Sequence, residues 1–324
     1  MKSKIIIGTR SSKLALWQSN HVKAELQKTS PDLKVELKEI KTKGDHITDV
    51  PLSQIGGKGL FTKEIEDALL SHEIDLAVHS LKDLPTMLPD GLEIGAVLDR
   101  EKAYDVLITK NPYTLSSLRP FSRIGTSSLR RIAQLKSIRN DLEYLELRGN
   151  VDTRIKKLED GKYDAIVIAY AGVKRLGFEE KITEHLDPKT ILPAVCQGII
   201  AIEIRKGDNE IKKILTKLSH EETYLISVSE RAFLEELQGG CQVPIGAYTE
   251  LNNGKITLFG LVASLDGKTV IRDSIEKKVN KDFKEKTLEE KIHCFKTLGT
   301  DLAIKLLNNG GREILDVVRR AVSK

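Results

Sequence analysis

The chain has 324 residues, 52 Lys plus Arg against 47 Asp plus Glu, a net charge of +5 and 5% aromatic residues. That length calls for two or three domains rather than one small core, and so slight a basic excess with so few aromatics argues against nucleic acid as the partner. Three cysteines are too few for a disulfide framework, and no apolar run reaches the length of a membrane-spanning helix, so a soluble protein of a reducing, cytoplasmic compartment is expected.

In chain order, a short apolar run at 5–7 ends in Gly8-Thr-Arg-Ser-Ser12, and Leu14, Leu16, Trp17, His21, Val22 and Leu26 then recur at helical spacing. A strand, a hydroxyl-rich turn and a helix follow from this pattern. Such a turn offers free backbone N–H groups to an anion, although Ser11 or Ser12 can equally serve as an ordinary N-cap. The same turn returns in Arg123-Ile-Gly-Thr-Ser-Ser-Leu-Arg-Arg131, ahead of Ile132, Leu135 and Ile138. A second pair also matches. A helix at 65–70 leads to the strand Asp75-Leu-Ala-Val-His79, and a helix at 155–158 leads to Asp164-Ala-Ile-Val-Ile-Ala169. Two α/β lobes of similar design are expected, each with a parallel or mixed sheet and with ligand-binding turns at the carboxyl ends of its strands, facing a shared cleft.

The segment 44–59, with Gly44, Gly56, Gly57, Gly59 and Pro51, is expected to be either a mobile lid or a plain surface connection. Crossings between the lobes are placed at 96–104 and 188–198, with a strand at 199–204 rejoining the first lobe. Beyond 218 a third, α+β unit is expected. It has a helix at 223–237, strands near 245–249, 255–263 and 269–276 with turns at Asn252-Asn-Gly254 and Asp266-Gly267, and helices at 288–308 and 312–322.

Arg10, Arg130, Arg131, Arg148, Arg154 and Arg175 fall at strand ends or helix starts. Arginine forks match carboxylates and phosphates, so a ligand with several anionic groups is expected, against the ordinary alternative of surface pairing with acids. Ser80-Leu-Lys-Asp-Leu-Pro85 sets Lys82 and Asp83 at the end of a strand, where Asp83 can act as an acid or base or simply make a turn. Leu237-Gln-Gly-Gly-Cys-Gln-Val-Pro-Ile-Gly246 is a constrained loop around Cys241. It holds either a buried structural thiol or one presented for covalent chemistry, and the loop alone does not choose. His72, His79 and His185 lack ligand spacing, so no metal is expected. No P-loop is present, and no dinucleotide fingerprint opens a helix.

Taken together and in order, Gly8-Thr-Arg-Ser-Ser12, His79-Ser-Leu-Lys-Asp-Leu-Pro85, Gly125-Thr-Ser-Ser-Leu-Arg-Arg131, Leu147-Arg-Gly-Asn150, Leu192-Pro-Ala-Val-Cys-Gln-Gly198 and Gly239-Gly-Cys-Gln-Val-Pro244 resemble the porphobilinogen deaminase (hydroxymethylbilane synthase) family along most of the chain. The resemblance implies an α/β fold of two periplasmic-binding-protein-like lobes with mixed sheets plus a small α+β C-terminal domain. The corresponding boundaries are 1–98 with 198–218, 99–197, and 219–324. It implies a transferase that condenses four porphobilinogen molecules head to tail into hydroxymethylbilane with loss of ammonia. The priming cofactor is a dipyrromethane held by a thioether to Cys241.

By the same resemblance Asp83 is the catalytic carboxylate, assisting ammonia loss and stabilising positive charge on the pyrrole nitrogens. Lys82, Asp83, Thr126, Ser128, Arg130 and Arg131 bind the cofactor. Arg10, Ser12, Arg148, Arg154 and Arg175 bind substrate carboxylates, with Lys58 and Phe61 from the mobile loop. A cytoplasmic monomer that engages neither nucleic acid nor membrane is implied. One departure is Cys196, where the family usually has glycine; if that position needs positive φ, cysteine there is strained. Two other classes remain to be weighed. A two-lobed receptor closing on a carboxylate ligand needs neither the Cys241 loop nor the Lys82-Asp83 pair, and a nucleic-acid binder should interleave its arginines with aromatics.

Overall fold

The computed structural model describes residues 2–46, 59–239, 243–279, 283 and 285–322. In chain order they form β1 (Lys4–Thr9), α1 (Lys13–Thr29), β2 (Lys34–Glu39), α2 (Lys43–His46), α3 (Lys63–Leu70), β3 (Leu76–Ser80), β4 (Leu92–Val97), β5 (Asp105–Thr109), β6 (Arg123–Gly125), α4 (Leu129–Ile138), β7 (Glu143–Leu145), α5 (Val151–Glu159), β8 (Ala165–Ala169), α6 (Tyr170–Arg175), β9 (Glu184–His185), β10 (Ile200–Arg205), α7 (Asn209–Leu215), α8 (Glu221–Glu236), β11 (Ile245–Asn252), β12 (Lys255–Ala263), β13 (Val270–Lys278), α9 (Leu288–Leu306) and α10 (Arg312–Val322). They group into two compact units. One takes the described residues up to Glu101 together with Gly198–Tyr224, and the other takes Lys102–Gln197 and those from Leu225 onward.

The first unit is built on a five-stranded sheet of order β2-β1-β3-β10-β4. β1 runs parallel to β2 and β3, while β10 runs antiparallel to β3 and β4. Its central strands β3 and β10 are almost wholly buried, as a sheet covered by helices on each side requires. Val22 and Leu26 of α1, with Ile211 and Leu215 of α7, pack on Ile5, Ile7 and Val78. Ile65 and Leu69 of α3 pack on Ile74 and Ala77 from the other side.

The second unit repeats this plan in the order β7-β6-β8-β5-β9. β6 is parallel to β7 and β8, and β5 is antiparallel to β8 and β9. Strand for strand, the two sheets agree in order and direction. The sequence repeats have matching jobs. Asp75 N donates to Ile6 O, and its carboxylate accepts from Ile6 N at 2.8 Å. Asp164 N donates to Arg123 O, and its carboxylate accepts from Arg123 N at 2.8 Å. Each aspartate therefore locks the start of one parallel strand onto the next. Gly8 and Gly125 occupy equivalent places in β1 and β6; a Cβ there would strike Ile74 and Tyr163 respectively. Ser12 and Ser128 cap α1 and α4, each accepting from the backbone N–H three residues on.

Helix α4 departs from the expected face. Leu135 is buried, but Ile138 is 45% exposed, and the inward side carries Arg130, Arg131 and Gln134 instead. A helix turns polar groups inward only where partners wait for them; those partners are described below.

The rest of the second unit is an antiparallel meander, β11-β12-β13. Its first hairpin closes at Asn252 and Lys255, with Asn253 at φ 51° and Gly254 at φ 70°, the paired positive φ that a two-residue turn of this hand needs. Ala133 and Leu192 pack on Leu261 and Ala263, joining α4 to the meander. A capping box of Thr287 and Glu290 starts α9. Among the described residues no helix is long and apolar enough to cross a membrane.

Candidate active site

At the end of β3 the chain makes one 3-10 turn, Leu81–Asp83. Leu81 and Leu84 are buried and anchor the turn, and Leu81 N donates to Ile199 O at 3.0 Å. Between these anchors Asp83 is exposed, and no described residue takes its carboxylate in a hydrogen bond or ion pair. Lys82 beside it is half-buried.

Because β1 and β3 are parallel neighbours, their carboxyl ends share one edge of the sheet. Arg10 and Ser12 therefore come from the same edge as Lys82 and Asp83. The Arg10 guanidinium lies 4.3 Å from the centre of the Phe61 ring, within reach of a cation–π attraction that helps to hold it at this edge. The Ser12 hydroxyl accepts from Ala15 N at 3.3 Å, so its capping role is real. Gln18 of α1 donates to the Ser80 hydroxyl at 2.8 Å and ties the helix to this edge.

The equivalent edge of the second sheet gathers Thr126, Ser128, Arg148 and Arg154. Thr126 N donates to Leu145 O, and the Ser127 hydroxyl both donates to Leu147 O at 2.7 Å and accepts from Leu147 N at 3.0 Å. These bonds stitch the turn after β6 to the turn after β7. Helix α5 then holds the second turn from below: Arg154 Nε donates to Gly149 O at 2.7 Å and Lys157 Nζ to Arg148 O at 3.0 Å. Arg148 Nε donates to Glu146 at 2.6 Å, and Arg175 closes α6 largely buried.

Arg130 and Arg131 stand apart from this edge. Both guanidinium groups grip Asp105, the fully buried first residue of β5, at 2.9 and 2.7 Å. Arg130 also donates to Leu192 O at 2.6 Å and Arg131 to Val167 O at 3.0 Å, while Gln197 donates to Asp105 at 2.8 Å and to Ala103 O at 2.6 Å. Burial alone would raise the Asp105 pKa, but the two guanidinium charges and the hydrogen bonds to it hold it well below the usual carboxylate range. Burial first, and then repulsion from Arg131, pull Arg130 below its ordinary value, with Asp105 opposing both. Arg131 Nε is buried with no hydrogen-bond partner.

Asp105 was not picked out from sequence. The available signal was a carboxylate opening an otherwise apolar strand, which must find buried cations. Asp105→Ala leaves two buried guanidinium groups without a counter-charge and is expected to cost about 3–5 kcal/mol of unfolding free energy. Urea denaturation at neutral pH measures this, and a loss within the range of a surface pair, about 1 kcal/mol or less, would contradict it. The folded pKa lies below the unfolded value of about 3.9. The stabilisation is therefore complete above that value and fades only as pH falls through the folded one.

Cys196 takes φ 60°, so the condition under which cysteine is strained at this position is met. Its thiol is buried, and its N–H donates to Glu230 at 2.7 Å. Cys241 and Lys58 lie outside the described residues, as does most of the segment 44–59.

Residues 5–213 match the family described as porphobilinogen deaminase, dipyromethane cofactor binding domain, and residues 224–308 match porphobilinogen deaminase, C-terminal domain. A porphobilinogen deaminase of Syntrophomonas wolfei is 50% identical over 314 residues, 97% of this chain and 98% of that one. One from Carboxydothermus hydrogenoformans is 49% identical over 320 residues, 99% of each chain. Among solved structures, the periplasmic VFT2 domain of Bordetella pertussis BvgS is similar over 69% of this chain and 92% of that one, at 17% identity and a TM-score of 0.40.

Proposed function

The chain belongs to the porphobilinogen deaminase family, and we propose that it is a transferase in which Asp83 carries the chemistry and the basic side chains hold a lengthening polycarboxylate. The family's cofactor is dipyrromethane, and the residues present suit it. Its pyrrole N–H groups need an acceptor, which the unengaged Asp83 carboxylate supplies, and its carboxylates need donors such as the orphaned Arg131 Nε. Lys82, Thr126, Ser128, Arg130 and Arg131 would hold it, with Cys241 as the covalent anchor. When bound, it supplies the free pyrrole α-carbon to which the first porphobilinogen joins.

In each round the substrate's carbon–nitrogen bond would break and ammonia would leave, the aminomethyl carbon would join the free α-carbon of whichever pyrrole then ends the chain, and the proton displaced from that α-carbon would balance the one that ammonia carries away. Asp83 accepts the pyrrole N–H, offsets the positive charge that develops as ammonia departs, and holds a proton at its carboxylate oxygens. Its exposed carboxylate, engaged by no described residue, on a turn pinned by Leu81 and Leu84 is the observation that carries this role. Arg10, Ser12, Arg148, Arg154 and Arg175, with Lys58 and Phe61, bind the acetate and propionate groups, each charge-assisted bond contributing about 1.5–3 kcal/mol. We further propose the division of labour 1–98 with 198–218, 99–197 and 219–324, and a monomer in the cytoplasm, which the scarcity of cysteine supports.

Purified protein given porphobilinogen is expected to release one ammonia for each pyrrole consumed and to yield a linear tetrapyrrole. A chain that binds porphobilinogen but releases no ammonia would instead be a receptor, and the transferase proposal would fail.

A further inference from the structure

Helix α8 ends at Glu236, five positions before Cys241, in a turn that ought to fray. Gln238 N donates to Glu235 O at 2.8 Å and Gly239 N to Leu234 O at 3.0 Å, the paired bonds of a Schellman end. The left-handed position of that motif, normally glycine, is Gln238 at φ 49°. The last turn of α8 has no basic residue and carries Glu235 and Glu236 at the negative end of the helix. What offsets this comes from far along the chain. Arg319 of α10 donates from Nη2 to Leu237 O at 2.7 Å, across 82 residues of sequence. Helix α10 is seated by Leu315 and Val318, both buried, and it packs against β12.

The downstream side of the same segment is also fixed. Ala263 N of β12 donates to Pro244 O at 3.0 Å. A Cβ on Gly239 would lie 2.5 Å from Ile245 Cδ1, so the two stems meet.

We infer that Arg319 is a positioning residue for the cofactor anchor: by capping α8 it holds the stem that presents Cys241 during attachment. This rests on Cys241 being the anchor. Losing a charge-assisted bond of this kind is expected to slow attachment roughly tenfold.

The test follows intact mass over time as apoprotein, made without porphobilinogen, is given porphobilinogen. The variants are Arg319→Met, which keeps the apolar stem, Arg319→Lys, which keeps a donor and the charge, and Val22→Ala, a core truncation in the other unit. Slow loading of Arg319→Met, recovery in Arg319→Lys and ordinary loading of Val22→Ala are expected. Loading of Arg319→Met at the wild-type rate would overturn the inference. So would equal slowing in Val22→Ala, because stability alone would then account for it. A wild-type chain that gains no mass on the Cys241 peptide would instead overturn the anchor assignment, and the role of Arg319 with it.

Discussion

Asp83→Asn should fold and load its cofactor normally, yet turn over about 10²–10⁴-fold more slowly. The side chain is exposed and no described residue engages its carboxylate, so the substitution removes no hydrogen bond or ion pair to a described residue and should change stability by no more than about 0.5 kcal/mol. Asparagine keeps the size and one acceptor oxygen. It loses the negative charge and the ability to hold a proton, the two properties the proposed chemistry uses. Ammonia release measures the rate, while circular dichroism and intact mass check fold and loading. Turnover within a few-fold of wild type would remove Asp83 from the catalytic role.

Cys241→Ser is expected to abolish covalent attachment and, with it, all sustained turnover. A serine hydroxyl is a far weaker nucleophile than a thiolate, whose ordinary pKa of about 8.5 puts some of it in the reactive form near neutrality. The other two cysteines are poor substitutes, since Cys196 and Cys294 are both buried and the Cys196 thiol lies 3.8 Å from Ser227 O. The variant should weigh what its sequence dictates after exposure to porphobilinogen. A retained excess of two pyrrole units would place the anchor elsewhere.

Much of the scaffold was legible because it is written locally and twice. The Gly-Thr pairs at the carboxyl ends of β1 and β6, the capping serines and the aspartates ahead of β3 and β8 recur at matching places, and each does the same mechanical task in both sheets. The strand limits of β12 and the span of α10 followed from apolar spacing and turn residues alone.

The arginines were legible as a group but not as individuals. Spacing placed all six near strand ends. It could not show that Arg130 and Arg131 turn inward to Asp105, because that meeting depends on residues 25 and 26 positions apart and on Gln197, 92 away. The inward face of α4 was misjudged for the same reason: apolar periodicity pointed to Ile138, whereas the buried acid selects the arginine side. The capping of α8 by Arg319 was equally out of reach, being a single long-range bond with no local signature. The left-handed backbone at Cys196 could be anticipated, since a family glycine is replaced there.

The most direct test of the central claim is the intact mass of the purified, denatured protein, followed by peptide mapping. An excess equal to two linked pyrrole units, on the peptide that contains Cys241, is expected. A mass that matches the bare sequence even after porphobilinogen is added, or an excess mapped to another peptide, would contradict it.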